Sequence, residues 1–130
     1  MTALAPGSMI GILGGGQLGR MLALGAAKLG YKTCIFDPDP GAPAAQVVNR
    51  HIAASYNDSK ALLDFANDCA VVTYEFENVP VEAARLVESI VPVRPGPKAL
   101  EAAQDRLVEK TFLNKAGIPT APFQAVDSDT

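Results

Sequence analysis

The residues that could do chemistry fall in three short runs. The first is Gly14-Gly15-Gly16-Gln17-Leu18-Gly19, which ends an apolar run and opens an amphipathic one. Its Gly14-x-Gly16-x-x-Gly19 spacing is that of a dinucleotide-binding turn. Glycines permit positive φ and close backbone approach, and the start of the following helix offers unpaired N–H groups to an anion. Such a site also wants an acidic residue at the end of the second strand, roughly 20 positions on, to hold ribose hydroxyls. Asp37 stands there. Gly19 has a second reading, as the residue that lets helix and strand pack closely.

The second run is "TYEFENVP", residues 73–80. Glu75 and Glu77 are two apart, so in an extended chain they share a face. At the carboxyl end of a strand beside the first, they flank the crevice where open α/β sheets bind ligands. Paired carboxylates there repel a pyrophosphate and suit ribose hydroxyls or an amine; the plainer reading is solvated charge at a helix entrance. Pro38 and Pro40 also bear on the dinucleotide reading, because they stiffen the backbone where an adenosine ribose would lie. The third run is Asp105-Arg106-Leu107. If Asp105 caps a helix, Arg106 sits at the end that disfavours a cation by up to about 1 kcal/mol. A bound anion would resolve that conflict. A surface arginine in a helix that began earlier is the alternative.

The elements that must position these runs are legible as apolar segments: "MIGIL" (9–13), "TCIF" (33–36), "HIAA" (51–54), "AVVTY" (70–74) and "SIVPV" (89–93). Four are nearly continuous rather than alternating, the pattern of parallel strands covered on both faces. Helical patterns lie between them. One starts near Gln17 with a core stripe of Leu18, Met21, Leu22, Gly25, Ala26 and Leu29, capped at Gly30. Another follows Asn57 or Asp58 as N-cap, and a third opens at Pro80 with Glu82 in its first turn. Strand–helix alternation of this kind predicts an α/β, doubly wound parallel sheet with right-handed crossovers, in the order 3-2-1-4-5. Pro92 suits an edge for the fifth strand, and the short third run with His51 suits the other edge. A C-terminal helical segment follows, stopped at Gly117 before a Pro-punctuated exit.

Composition narrows the class. The chain has 130 residues, 48% of them apolar, and a net charge of −3, which describes a globular domain and argues against a nucleic-acid surface. No apolar run approaches the roughly 18 residues of a membrane span, and "MTALAPGS" lacks the features of a signal peptide. Cys34 and Cys69 read as buried free thiols in a reducing cytosol, with no metal site beside them.

Taken together, "ILGGGQLGRML", "YEFENVP" and "AQDRLVEKTFLNKAGIPTAPF" closely resemble the N-terminal region of the 5-(carboxyamino)imidazole ribonucleotide synthase family. These are ATP-grasp ligases of bacterial and fungal purine synthesis, and the resemblance covers residues 9 to about 126. It implies a Rossmann-like pre-ATP-grasp domain over 9–122, after a flexible tail at 1–8. Residues 123–130 would begin a linker into an ATP-grasp domain. The implied reaction joins bicarbonate to the amino group of aminoimidazole ribonucleotide, with ATP cleaved to ADP and phosphate. ATP and magnesium would be held mainly by other domains, so no catalytic residue or metal ligand is expected here. Gly16, Gln17 and Leu18 match the turn that lines the ribonucleotide pocket. Glu77 matches the acceptor of the ribose hydroxyls, and Glu75 and Asn78 shape the same wall. Arg106 matches an ATP-contacting arginine.

The family further implies a cytoplasmic enzyme, homodimeric at full length, with small-molecule partners and neither nucleic acid nor membrane. Ala23, Leu24 and Ala27, off the predicted core stripe, would leave the first helix apolar enough for such pairing. The competing reading is a stand-alone NAD(P)-binding module built on Gly14, Gly16, Gly19 and Asp37.

Overall fold

A computed structural model describes residues 2–128. Four strands form one parallel sheet: β1 (Met9–Leu13), β2 (Lys32–Phe36), β3 (Arg50–Ile52) and β4 (Val71–Tyr74), in the order β3-β2-β1-β4. The helices are α1 (Gln17–Lys28), α2 (Ser59–Asn67), α3 (Val81–Glu88), α4 (Pro97–Gln104) and α5 (Arg106–Lys115), with a 3-10 turn over Pro43–Gln46. No helix among the described residues is long and apolar enough to cross a membrane.

The sequence predicts a fifth strand over 89–93, and the structure corrects this to a single bridge. Val93 pairs parallel with Val72, through Val72 N–H to Pro92 O and Arg94 N–H to Val72 O, both at 2.9 Å. The place is the predicted one, beyond β4, but the ladder cannot lengthen. Ser89 caps α3, and the N–H groups of Ile90 and Val91 are both taken by Val87 O at the end of that helix. Pro92 then has no N–H to give.

Several boundaries follow local chemistry. Asp58 caps α2, its carboxylate accepting from Ala61 N–H at 3.0 Å. Pro80 is the N-cap of α3 rather than its first helical residue, a shift of one position. Gly30 and Gly117, both at positive φ, end α1 and α5. In each case paired N–H bonds run back to the last turn, Tyr31 to Ala26 and Gly30 to Ala27, then Ile118 to Leu113 and Gly117 to Asn114.

The core lies on both faces of the sheet. The larger cluster joins Leu13, Cys34, Phe36 and Val72 to Leu62 and Phe65 of α2, Ala84 and Val87 of α3, and Leu100 of α4. The opposite face carries a smaller cluster of Ile12, Ile35, Ala42 and Ala44, with Ala45 and Val48 packed against it. On that side α1 lies inverted with respect to its predicted stripe. Gly19 and Ala23 are its buried residues, whereas Leu18, Met21 and Leu29 are 57%, 58% and 71% exposed. The reason is distance. A helix leaving a strand through a tight glycine turn lies close over the sheet, and a Cβ on Gly19 would come within 3.0 Å of Gly14 O. The small side of α1 therefore faces inward, so Ala23 is core and the predicted stripe is not.

The expected tail at 1–8 begins at Met1, outside the described residues. Within that span, Leu4 O accepts from the Tyr31 hydroxyl at 2.8 Å, and Gly7 N–H donates to Gly30 O at 2.7 Å. At the other end Asp129 and Thr130, the close of the expected linker at 123–130, also lie outside the described residues.

Candidate functional site

The glycine turn joins β1 to α1, and the ends of two neighbouring strands close over it. Gly14, at φ +99°, gives its N–H to Phe36 O at 2.9 Å. Gly15 N–H donates to Asp37 Oδ2 at 2.7 Å, from the end of β2. Gly16 N–H donates to Glu75 Oε1 at 2.9 Å and Gly19 N–H to Glu75 Oε2 at 2.8 Å, from the end of β4. Asp37 Oδ1 in turn accepts from Asp39 N–H at 2.8 Å. The ring of three glycine amides is thus satisfied by two of the chain's own carboxylates.

This geometry explains the glycines without a ligand. A Cβ on Gly14 would lie 2.6 Å from Glu75 Cγ, and one on Gly16 would lie 2.8 Å from Glu75 Oε1. Both are shorter than real side-chain contacts allow. Asp37, the residue expected to hold a dinucleotide ribose, is occupied at both oxygens instead. The Tyr56 hydroxyl donates to Phe36 O at 3.3 Å nearby. Burial first, then the charges of Asp37 and Glu75, push its phenol well above the ordinary tyrosine range, so it stays a neutral donor.

Beyond Tyr74 the chain stops being extended: Glu75 and Phe76 bend, and Glu77 and Asn78 form an exposed turn. The alternating-face argument for Glu75 and Glu77 therefore has no strand to act on. Glu75 points into the glycine turn, while Glu77 and Asn78 are exposed in the turn that follows it. Gln17 and Leu18 open α1, also exposed. Beside them Leu18, Met21, Leu22, Tyr74 and Glu75 line a shallow, mainly apolar cleft of about 500 Å³.

Arg106 is separate from this group. Asp105 is extended and caps α5, accepting from Leu107 N–H at 2.8 Å and Val108 N–H at 3.0 Å, so α5 begins where that cap requires. Arg106 is exposed and paired with Glu109 at 2.6 Å, which offsets its place at the helix start. With Lys110, Phe123 and Val126 it lines a second cleft of about 450 Å³. The Lys110 ammonium stands 5.6 Å from the centre of the Phe123 ring. Lys110 and Phe123 both lie in the run quoted for the family resemblance, but spacing alone gives neither a role.

Cys34 is buried and Cys69 half-buried, both free. The Cys34 thiol donates to Ile35 O at 3.9 Å and the Cys69 thiol to Phe65 O at 3.2 Å. The interaction of each thiol with the other lowers the pKa of Cys34 and, with burial, raises that of Cys69. Among the described residues no three His, Cys, Asp or Glu side chains come together as a metal site.

A parallel sheet flanked by helices, with a glycine turn after its first strand, makes this an α/β domain of the doubly wound kind, and the comparisons specify which. Residues 8–104 match the ribonucleotide synthetase preATP-grasp domain family, and the chain belongs to it. N5-carboxyaminoimidazole ribonucleotide synthase of Brucella melitensis is 58% identical over 128 residues, 98% of this chain and 35% of that protein. The solved N5-carboxyaminoimidazole ribonucleotide synthetase of Thermus thermophilus superposes with a TM-score of 0.87 at 57% identity, over 93% of this chain and 33% of that one. The Aspergillus clavatus synthase, solved in complex with ADP and 5-aminoimidazole ribonucleotide, gives 0.80 at 36% identity, over 89% and 31%. The chain thus spans about a third of the length of the curated synthases it matches, and 12% of a bifunctional purine synthesis protein of Dictyostelium discoideum. These likenesses give no support to the NAD(P)-module reading, and the occupied Asp37 and Glu75 carboxylates oppose it.

Proposed function

We propose that this chain supplies one wall of the ribonucleotide pocket, and one ATP contact, of an N5-carboxyaminoimidazole ribonucleotide synthase. That ligase would carboxylate 5-aminoimidazole ribonucleotide with bicarbonate and ATP, giving the N5-carboxyamino product, ADP and phosphate. The observation that carries this reading is the glycine turn closed by Glu75, with Gln17 exposed at the start of α1 and Glu77 and Asn78 exposed in the turn after β4. The Aspergillus clavatus complex, at 36% identity, supports the choice of ligand. Gly16, Gln17 and Leu18 present backbone and amide groups, Glu77 accepts from ribose hydroxyls, and Glu75 and Asn78 shape the wall. Residues 9–122 form this substrate-binding unit, with 123–130 leading out of it.

Arg106 reaches an ATP phosphate; its cleft, with a second cation at Lys110 and an aromatic ring at Phe123, supports this. Magnesium, like most of the ATP, would be held mainly by the other domains of the ligase. No step of phosphoryl transfer is assigned to this chain, and by itself it is inactive. A cytoplasmic setting and a homodimeric full-length protein belong to the same reading.

The test is a titration of the ¹⁵N-labelled chain with 5-aminoimidazole ribonucleotide and, separately, with NAD. The expected result is saturable shifts at Gly16, Gln17, Glu77 and Asn78 with the ribonucleotide alone. Shifts centred on Asp37 with NAD would overturn the reading. ATP hydrolysis by the purified chain should stay at background with and without bicarbonate; stimulation by bicarbonate would disprove its inactivity.

A further inference from the structure

We propose that Glu75 is a specificity-determining residue: a built-in anion that fills the phosphate seat of the glycine turn and so turns away phosphate esters there. A helix start preceded by Gly-x-Gly-x-x-Gly is a ready anion site, because its free N–H groups and dipole both favour negative charge. In this chain the N–H groups of Gly16 and Gly19 already donate to the two oxygens of one carboxylate, at 2.9 and 2.8 Å. The seat is shaped to that occupant. Cβ atoms on Gly14, Gly16 and Gly19 would each meet Glu75 first or second, at 2.6, 2.8 and 3.5 Å.

The carboxylate is also anchored from behind. Glu75 N–H donates to Leu13 O at 3.2 Å, which ties the residue to the end of β1 as the turn begins. A phosphate entering the seat would have to displace a bidentate anion and then sit beside it, so like charges and two lost hydrogen bonds both oppose it. What the turn leaves open is its rim, at Gln17 and Leu18, where an uncharged sugar or base meets no such repulsion. The selectivity is therefore for a ligand that brings its neutral part to the turn and keeps its phosphate elsewhere. This deepens the ribonucleotide reading and rests on it for what the rim receives; the exclusion of phosphate does not depend on it.

The experiment follows the Gly16 and Gly19 amides in ¹⁵N-labelled wild type, Glu75→Ala and Glu75→Gln, titrated with inorganic pyrophosphate at constant ionic strength. Wild type should show no saturable shift at these amides. Glu75→Ala should gain one, with affinity raised about tenfold or more, and Glu75→Gln, which keeps one acceptor oxygen and loses the charge, should fall between. Saturable shifts at both amides in wild type, or a folded Glu75→Ala chain with no gain, overturns the proposal. Glu75→Gln is nearly isosteric and supplies the same reading where the alanine variant does not fold. Failure of wild type to bind 5-aminoimidazole ribonucleotide, with the pyrophosphate gain intact, would sink the proposed function and leave the role of Glu75 standing.

Discussion

Gly11 shows how much a single missing side chain can hold. It lies in β1 between Cys34 of β2 and Val72 of β4. A Cβ there would meet Cys69 Sγ at 2.7 Å, Phe65 Cζ at 2.8 Å and Val72 Cγ2 at 2.9 Å, three directions at once. Gly11→Ala is expected to destabilise the fold by about 1–3 kcal/mol through overpacking. The check is urea denaturation, with a lowered midpoint at an unchanged slope. At this scale the sequence was legible where chemistry is local. Glycine spacing announces a tight turn, and Asp105 announces a helix start. It was silent on what fills the turn, because Gly16 and Glu75 are 59 residues apart, and only the parallel pairing of β4 with β1 brings them together.

The elements differ in what their caps are worth, because they differ in what they bury. Helix α2 buries Leu62, Phe65 and Ala66, so its first turn is coupled to the core. Asp58→Ala should cost about 1 kcal/mol of global stability, read as a lowered denaturation midpoint. Helix α5 buries none of its residues. Asp105→Ala should leave the midpoint nearly unchanged and instead speed amide hydrogen exchange at Leu107 and Val108, whose N–H groups it accepts. A fall in the midpoint as large as that of Asp58→Ala would show that α5 belongs to the cooperative core. The fifth strand was misread at this scale. "SIVPV" is apolar enough for a strand, but the end of α3 takes its first three residues, and Pro92 limits the rest to one bridge.

For the molecule as a whole, the two faces of the sheet are unequal. The side under α2, α3 and α4 carries most of the buried core, while the α1 side is thin and leaves the helix's larger apolar residues outward. Period 3.6 located the stripe of Leu18, Met21 and Leu22 correctly as a stripe, yet assigned it to the wrong side. Periodicity cannot say whether a helix approaches a sheet on its large or its small residues. Met21→Gln and Leu29→Gln should therefore change unfolding free energy by no more than about 0.5 kcal/mol, as surface substitutions do. On the proposed homodimeric reading, the same variants should reduce self-association, measured by light scattering across concentration. A loss of several kcal/mol would return those side chains to the core.

The bracing of the glycine turn by Asp37 and Glu75 means that its conformation is not portable. Residues 14–19 grafted into another nucleotide-binding scaffold would carry the glycines but leave Gly15, Gly16 and Gly19 without their acceptors. The transplanted segment would then seek whatever anion its new host or buffer offers. Recovering the native behaviour would require importing the tips of two further strands along with it.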